Sequence, residues 1–221
     1  MSFILNIDTA LETAGVSIAR DGMIISFQTN DIQKEHAGFL HDAIQKTINI
    51  AKIQLHELDA IAVTEGPGSY TGLRVGMATA KGLCYALQKP LVTVGMLPAM
   101  ARSAVDSVQQ TDALYCPMID ARRLEVYTAV YDNKLETILP PTAMVLHENS
   151  FAEILNDKKI IFFGNGSLKF KSIVDSRNAE FVDQVNVIHA VAQSSFEKLK
   201  NNILADLVYT EPLYIKEFFS P

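Results

Sequence analysis

Residues Glu65 to Leu87 read EGPGSYTGLRVGMATAKGLCYAL, the strongest structural signal in the chain. A strand-like run at Ala60 to Thr64 leads into Gly66-Pro67-Gly68. Two glycines around a proline predict a turn, because glycine adopts positive φ freely and proline fixes its own φ. Ser69 or Thr71 is placed to cap the helix that follows, and the apolar pattern predicts that this helix ends near the last leucine of the stretch.

The predicted helix is apolar around most of its circumference. One face is apolar and consists of Leu73, Met77, Ala80, Cys84 and Leu87. Beside it lies a face of mostly small residues, Gly72, Gly76, Thr79 and Leu83. Only a narrow stripe is polar, formed by Arg74, Lys81, Tyr85 and Gln88. A helix of this kind is buried on more than one side. Each interior glycine costs about 1 kcal/mol relative to alanine, so Gly72, Gly76 and Gly82 predict that another backbone approaches closely.

Three interpretations of this close packing remain open. The small face packs on the domain's own sheet or a neighbouring helix, or it packs on another protein chain. In the third and weaker interpretation the glycines hold a phosphate at the helix N-terminus. The loop lacks both the Lys-Ser/Thr ending of a P-loop and the G-x-G-x-x-G spacing of a dinucleotide fold.

Composition limits the class of protein. The 221 residues are 48% hydrophobic and 20% charged, as in ordinary globular chains. The net charge of −6 provides no basic field for nucleic acid, so any RNA role is expected to be shared with a partner. The early Asp8 and the lack of a basic leader predict no signal peptide, and no apolar run reaches the roughly 18 residues of a membrane span. Cys84 and Cys116 are predicted to be buried free thiols of a cytoplasmic protein.

The first half of the chain opens with three strands before its first helix. Strands are predicted at Phe3 to Asp8, Gly15 to Arg20 and Met23 to Gln28, with a hairpin turn at Asp21-Gly22. They are followed by a helix at Gly38 to Ala51, the strand and helix described above, a strand at Leu91 to Val94 and a helix at Leu97 to Val108. A Rossmann fold has a helix after its first strand, so this order argues against it. The order β-β-β-α-β-α-β-α is typical of the ribonuclease-H-like unit of sugar kinases, Hsp70 and actin, and predicts an α/β fold of that type.

The second half repeats the pattern in a shorter form. Strands are predicted at Leu114 to Ile119, Glu125 to Tyr131 and Lys159 to Phe163, a break at Pro140-Pro141, a short helix at Phe151 to Asn156 capped by Ser150, and a helix marked by Ile188, Ala192, Ser195, Leu199 and Ile203. We predict two related lobes, residues 1–108 and 109–221, of which the second is smaller and degenerate. The sequence leaves open whether the last helix packs back on the first lobe.

Asp8 is the acid most suited to chemistry. In kinase-like folds an aspartate at the end of the first strand, followed by hydroxyl residues such as Thr9 and Thr13, approaches Mg²⁺ and nucleotide phosphates. The alternative is that Asp8 forms an Asx-type turn with nearby N–H groups. Asp120, Arg122 and Arg123 form either a charged site or a solvated hairpin turn, and the solvated turn is favoured.

Metal and hydrolase sites find little support in the sequence. His36 and His41 are five residues apart and lie on different sides of a helix. The sequence has no H-E-x-x-H motif, no Cys/His cluster with metal-binding spacing and no G-x-S-x-G nucleophile elbow. We therefore predict no metal, no cofactor and no catalytic constellation.

The motifs of the chain resemble the bacterial TsaB (YeaZ) family. They are ILNIDTA, EHAGFLHDAI, LDAIAVTEGPGSYTGLRVGMATAKGL, DARRLEVYTAVY, GNG and PLYIKEF, in this order over most of the chain. The resemblance implies a role in forming N6-threonylcarbamoyladenosine at position 37 of tRNAs. It implies a scaffold that binds the transferase TsaD through helices of its first lobe, with the ATPase TsaE joining the complex. The family pattern has a serine where this chain has Ala10. The loss of that serine hydroxyl, beside Asp8, weakens a nucleotide-binding role for Asp8.

Applied to this sequence, the resemblance implies two sets of site residues. The partner-binding set, also expected to serve a homodimer, is Leu40, Ile44, Gly72, Leu73, Gly76, Met77, Ala80 and Leu83; the vestigial nucleotide-site set is Asp8, Thr9, Thr13, Gly66, Gly68 and Ser69. Binding of tRNA is expected only within the complex, with no membrane contact. The alternatives are an ATP-dependent transferase that uses Asp8 near magnesium and, with least support, a peptidase.

Overall fold

The computed structural model describes residues 1–31, 36–183 and 185–216, with only the backbone described at 36 and 37. Glu35 of the EHAGFLHDAI motif and the last two residues of PLYIKEF lie outside these ranges. The described residues form ten strands and six α-helices. The strands are β1 Phe3–Asp8, β2 Ala14–Arg20, β3 Met23–Asn30, β4 Ala60–Gly66, β5 Leu91–Gly95, β6 Ala113–Asp120, β7 Glu125–Tyr131, β8 Thr137–Val145, β9 Lys159–Phe163 and β10 Ala179–Phe181. The helices are α1 His36–Ala51, α2 Tyr70–Leu87, α3 Met96–Val108, α4 Ala152–Leu155, α5 Ser167–Lys171 and α6 Ile188–Lys200.

The first sheet has the strand order β3-β2-β1-β4-β5. β1 pairs antiparallel with β2, and β2 pairs antiparallel with β3. On its other side β1 pairs parallel with β4, which pairs parallel with β5. The predicted opening of three antiparallel strands is confirmed. The crossover through α1 brings the fourth strand beside the first, because a parallel neighbour needs a long connection.

Helices cover both faces of the first sheet. α1 and α2 pack on one face, where Leu40, Ile44, Met77 and their neighbours meet the side chains of β1, β2 and β4. α6 lies on the opposite face, where Phe196 and Leu199 pack against a cluster of buried residues from β1, β4 and β5. Alternation along β1 explains the division, since successive side chains of a strand point to opposite faces.

The second sheet repeats the topology of the first with shorter helices. Its strand order is β10-β9-β6-β7-β8, with β6 antiparallel to β7 and parallel to β9. α4 and α5 have four and five residues, whereas α1 and α2 have 16 and 18. Four phenylalanines fill this smaller core, with ring centroids 4.9 to 6.4 Å apart: Phe151, Phe162, Phe170 and Phe181. The prediction of an α/β, ribonuclease-H-like fold with two related lobes, the second smaller, is confirmed.

Contacts divide the chain into two compact units. The first contains Met1–Met96 and Ile188–Leu213, and the second contains Leu97–Val187 and the chain end from Tyr214. α6 therefore groups with the first sheet, and α3 groups with the second after its first residue. The sequence had placed residues 1–108 in the first lobe.

Two local predictions in the second unit are wrong. Pro140-Pro141 does not end a segment but lies within β8, an edge strand, where the pairs Thr128↔Thr142 and Val130↔Leu139 leave the two prolines in a bulge. An edge bulge tolerates proline because no ladder N–H is required there. Ser150 does not cap α4, whose N-cap is Phe151 at φ 65°; the Ser150 hydroxyl instead accepts a 2.9 Å hydrogen bond from the His147 N–H.

Candidate functional site

The turn after β1 meets the loop between β4 and α2 in the first unit. Asp8 lies at the end of β1 and is 8% exposed. Its Oδ1 accepts a 3.0 Å hydrogen bond from the Ala10 N–H and a 2.8 Å hydrogen bond from the Thr64 hydroxyl. The first bond is that of an Asx-type turn. Of the two interpretations left open for Asp8, the structure contains the turn.

Thr9 joins this turn to the beginning of α2. The residue is fully buried, and its hydroxyl donates a 2.7 Å hydrogen bond to the Gly72 carbonyl oxygen. A Cβ added at Gly72 would overlap the Thr9 carbonyl oxygen, and one added at Gly76 would overlap the Thr9 hydroxyl oxygen. The close backbone approach predicted at these two glycines is therefore made by the chain itself.

The glycine loop is held against the same turn. Gly66 has φ 115°, a conformation that favours glycine, and a Cβ at Gly68 would overlap the Ala10 carbonyl oxygen. That oxygen also accepts a 2.7 Å hydrogen bond from the Ser69 N–H. Ser69 caps α2, since its hydroxyl oxygen accepts a 3.3 Å hydrogen bond from the Gly72 N–H. The sequence had left the cap open between Ser69 and Thr71.

Five of the six predicted nucleotide-site residues therefore meet in one cluster. Thr13 is bonded elsewhere: its hydroxyl donates a 2.8 Å hydrogen bond to Asp31, which follows β3. The pairing of β2 with β3 explains this, because Ala14 lies opposite Asn30 and the preceding residue is carried to the end of β3.

The predicted partner-binding residues lie mainly inside the first unit. Seven of the eight are buried and only Leu83 is half-buried, the buried ones being Leu40, Ile44, Gly72, Leu73, Gly76, Met77 and Ala80. Most of their apolar side chains belong to the core between α1, α2 and the sheet: Leu40, Ile44, Met77 and Ala80, with Leu83 packed against it. In this structure the seven buried residues present little surface of their own, and most of the exposed area of these helices belongs to their outward-facing neighbours. That α1 and α2 bind a partner stays a prediction.

The outer face of α2 carries small residues and exposed tyrosines. Ala78 and Gly82 are exposed, Tyr85 is 81% exposed, and the Arg74 guanidinium lies 4.0 Å from the centre of the Tyr70 ring. Nothing in the described structure lies within 4 Å of a Cβ added at Gly82. Close approach within the chain thus explains two of the three helix glycines and leaves Gly82 without an internal reason.

The segment after α6 contributes contacts that the sequence analysis missed. The Leu213 N–H donates a 2.7 Å hydrogen bond to the Glu65 carbonyl oxygen, beside the glycine loop. The Lys81 ammonium donates 3.0 Å hydrogen bonds to the carbonyl oxygens of Val208 and Thr210. Asp206 begins this segment and accepts hydrogen bonds from two N–H groups, which lower the pKa of its carboxyl group. The aspartate of that Asx turn and the PLYIKEF motif, which contains Leu213, are the signals by which the sequence marks the segment.

The corresponding turn of the second unit follows β6. Asp120 accepts a 2.6 Å hydrogen bond from the Arg122 N–H, as Asp8 does from its own turn, and lies 2.9 Å from the Lys169 ammonium. Burial acts to raise the pKa of Asp120, but the hydrogen bonds from Lys169 and Arg122 outweigh it, so the pKa is lowered. The two units thus share an aspartate-centred turn at the end of their first strand.

Both cysteines are buried and free. Burial raises the pKa of Cys84 to about 11 and that of Cys116 to about 12. Such thiols are protonated at neutral pH and are poor nucleophiles. Among the described residues no group of three His, Cys, Asp or Glu side chains could hold a metal ion, and the side chain of His36 lies outside those residues. No helix in the described ranges is long and apolar enough to span a bilayer.

This fold and its aspartate turns define a member of the ribonuclease-H-like class with two related lobes. Residues 27–212 match the model of the family described as TsaD, tRNA N6-adenosine threonylcarbamoyltransferase. The chain is 31% identical over 177 residues to the tRNA threonylcarbamoyladenosine biosynthesis protein TsaB of Bacillus subtilis, covering 78% of this chain and 75% of that protein. The chain belongs to the TsaB (YeaZ) family, within the broader TsaD-type family.

Solved structures agree with this assignment. YeaZ from Pseudomonas aeruginosa superposes with a TM-score of 0.78 at 25% identity, covering 97% of this chain and 100% of that one. A protein described as similar to the peptidase YEAZ, from the same organism, superposes with a TM-score of 0.84 at 22% identity over 98% of this chain and 100% of that one. The second likeness supports the fold alone.

Proposed function

We propose that the chain is a non-catalytic scaffold subunit that binds and activates a TsaD-type transferase for the formation of N6-threonylcarbamoyladenosine in tRNA. The family model and the Bacillus subtilis relative support a place in this pathway. In this proposal the transferase performs the chemistry, a TsaE-type ATPase joins the complex, and tRNA is bound only by the assembly. The proposal includes a cytoplasmic location and a homodimer formed through α1 and α2, the helices that are predicted to bind the transferase.

The main support for a non-catalytic role is that the turn after β1 is used for packing inside the chain. Asp8 Oδ1 accepts hydrogen bonds from the Ala10 N–H and the Thr64 hydroxyl of the chain itself, and the Thr9 hydroxyl is bonded to α2. Gly68 approaches the Ala10 carbonyl too closely to admit even a methyl group. An ATP-dependent transferase would direct these groups at magnesium and phosphate. Their present partners favour a structural role, and turnover of Mg-ATP by the isolated chain would instead support the enzyme.

The outer face of α2 is the surface that we assign to the partner. Gly82 lowers helix stability by about 1 kcal/mol relative to alanine, and no atom of the described chain approaches it. A small residue lets the backbone of a second helix come close, while Tyr85 and Tyr70 offer aromatic area of the kind enriched in interfaces. A TsaD-type helix packed along Ala78 and Gly82 accounts for both features.

The test is the substitution Gly82→Arg. Arginine is a good helix former and the site is open, so the variant is expected to fold at least as stably as the wild type. Its side chain would hold a partner helix away from α2. We expect co-purification with the cognate TsaD-type protein and tRNA modification by the pair to fall at least ~10-fold, the factor that corresponds to about 1.4 kcal/mol of binding energy.

The matched control is Gln193→Arg, an exposed position on α6 across the sheet from α2. This variant adds the same side chain to a helix of the same unit and is expected to bind the partner normally. Normal partner binding by folded Gly82→Arg protein would contradict the assigned surface. A transferase that is fully active without this chain would contradict the scaffold role.

A further inference from the structure

The hairpin turn between β6 and β7 has a fixed backbone. The Ala121 N–H donates a 3.0 Å hydrogen bond to the Glu125 carbonyl, and the Glu125 N–H donates a 3.0 Å hydrogen bond to the Arg122 carbonyl. The Arg122 N–H is held by Asp120 at 2.6 Å. These bonds define the path of the turn before any side-chain charge is considered.

Two lysines neutralise the acidic residues at the base of this turn. The Lys169 ammonium lies 2.9 Å from Asp120 Oδ1 and donates a 3.1 Å hydrogen bond to the Glu125 carbonyl. The Lys216 ammonium lies 2.9 to 3.0 Å from both oxygens of the Glu125 carboxylate. Each carboxylate is paired with a lysine, so neither is left to compensate a further cation.

Two exposed arginines remain at the tip of the turn. In the part of the chain that the structure describes, no carboxylate pairs with Arg122 or Arg123. Their φ angles are 72° and 49°, a region in which glycine and asparagine are the ordinary turn residues. The chain as a whole carries a net charge of −6. With no carboxylate partner among the described residues, these two guanidinium groups at glycine-like positions form a local cationic site.

We propose that Arg122 and Arg123 bind backbone phosphates of RNA. This inference rests on the proposed function, which brings the chain beside a tRNA. The guanidinium group matches phosphate through paired N–H donors, is always charged, and is more weakly hydrated than an ammonium group. The braced turn presents both groups without a large ordering cost, because the backbone and the lysines beneath it are already held.

The test uses the complex of this chain with its cognate TsaD-type protein and an unmodified tRNA transcript. The variant R122N/R123N removes both charges with a residue that tolerates positive φ. The variant R122K/R123K keeps the charge. The matched control K134N/R177N removes two charges from exposed positions of the same unit. tRNA binding is measured from about 0.05 to 0.3 M salt for each complex, since phosphate contacts give a salt-dependent affinity.

We expect the asparagine variant to bind tRNA about 10-fold more weakly near 0.1 M salt and to lose roughly 1 to 2 units of slope in log K against log salt, because each phosphate contact contributes about 0.7 to 0.9. The lysine variant is expected to keep most of the slope, and the control all of it. An unchanged affinity and slope in a complex that assembles would overturn the phosphate site and leave the scaffold role intact. Loss of partner binding by the asparagine variant would also overturn it, by assigning the arginines to a protein contact.

A second measurement does not depend on the partner. The isolated chain is expected to hold RNA phosphates only weakly, so a short single-stranded RNA is added in large excess. In NMR spectra of the isolated chain, the Nε–H signals of Arg122 and Arg123 are then expected to shift more than the signal of exposed Arg177. Equal shifts at all three arginines would overturn the proposal. If the wild-type complex failed to assemble, the scaffold role would fall and this titration alone would decide the phosphate site.

Discussion

The Thr9 hydroxyl donates a 2.7 Å hydrogen bond to the carbonyl oxygen of Gly72, 63 residues further along the chain. This bond fastens the turn after β1 to the first turn of α2. The same threonine supplies the atoms that fill the space above Gly72 and Gly76. The turn after β1, for which the sequence allows a nucleotide site, is thus an internal joint of the first unit.

The joint predicts different outcomes for two helix glycines. Gly72→Ala and Gly76→Ala are each expected to lower the free energy of unfolding by roughly 1 to 3 kcal/mol, because the added methyl group overlaps Thr9. The Gly76 methyl meets the Thr9 hydroxyl, whereas the Gly72 methyl meets its backbone carbonyl. Thr9→Ala should therefore rescue Gly76→Ala but not Gly72→Ala in urea denaturation.

The control for this series is Gly82→Ala. Apart from the helix's own backbone, no atom of the described residues lies within 4 Å of a Cβ added there. Alanine is therefore expected to raise the free energy of unfolding by about 0.5 to 1 kcal/mol through helix propensity alone. Equal rescue of both glycine variants by Thr9→Ala would contradict the assignment of the two contacts.

A buried hydrogen bond joins α6 to β1. The Ser195 hydroxyl is fully buried and donates a 2.6 Å hydrogen bond to the Asn6 side-chain oxygen. Ser195→Ala leaves that oxygen without this donor in the interior, which costs about 1 to 3 kcal/mol. Chemical denaturation measures the loss. The adjacent half-buried Ser194 provides the comparison, and Ser194→Ala is expected to change the free energy of unfolding by less than about 0.5 kcal/mol.

Lys81 is expected to hold the segment that follows α6. Lys81→Met removes the hydrogen bonds to the Val208 and Thr210 carbonyl oxygens, so the segment should open more often. We expect the Leu213 amide to exchange with deuterium about 10-fold faster, given about 1.5 kcal/mol for a hydrogen bond to a charged group. Lys89→Met, at a half-buried lysine of the same unit, should leave this exchange unchanged. Equal protection in the two variants would show that Lys81 does not hold the segment.

The buried thiols predict loss of stability at high pH. Their pKa values rise from an ordinary 9.0 to about 11 for Cys84 and about 12 for Cys116, so folding favours the protonated form. The unfolded chain therefore releases these protons first, and the stabilisation, complete below pH 9, is lost as the pH rises toward 11 and 12. The urea midpoint should fall between about pH 9 and pH 11, and less steeply in the variant Cys84→Ala/Cys116→Ala. An equal fall in both proteins would assign the effect to other groups.

Periodicity predicted the elements that are buried in a regular way. β1, β7 and β9 begin and end where the apolar patterns do, and α2 ends at the predicted residue. The β-β-β-α order was sufficient for the fold class, because it determines which strands become neighbours. β8 was missed since proline reads as a breaker in sequence, whereas the edge of a sheet accepts it at a bulge.

The candidate site was predicted as a cluster but not in its detail. The sequence identified Asp8, Thr9 and the glycine loop, yet no local pattern shows that Thr9 reaches α2, because that contact depends on the packing of residues far apart in the chain. The apolar stripe of α2 was assigned to a partner for the same reason. An apolar residue looks alike in sequence whether it faces its own core or another chain, and in this structure both Leu73 and Met77 are buried within their own chain.

The prolines of β8 also affect how this protein behaves at high concentration. An open sheet edge invites a strand of another molecule to add to it, which begins aggregation. Pro140 and Pro141 have no N–H groups and lie in an irregularity of the ladder, so an added strand would lose a hydrogen-bond donor there. The β8 edge of the second sheet is therefore protected at this point against intermolecular strand addition, and replacing both prolines with valine would make that edge more prone to aggregation.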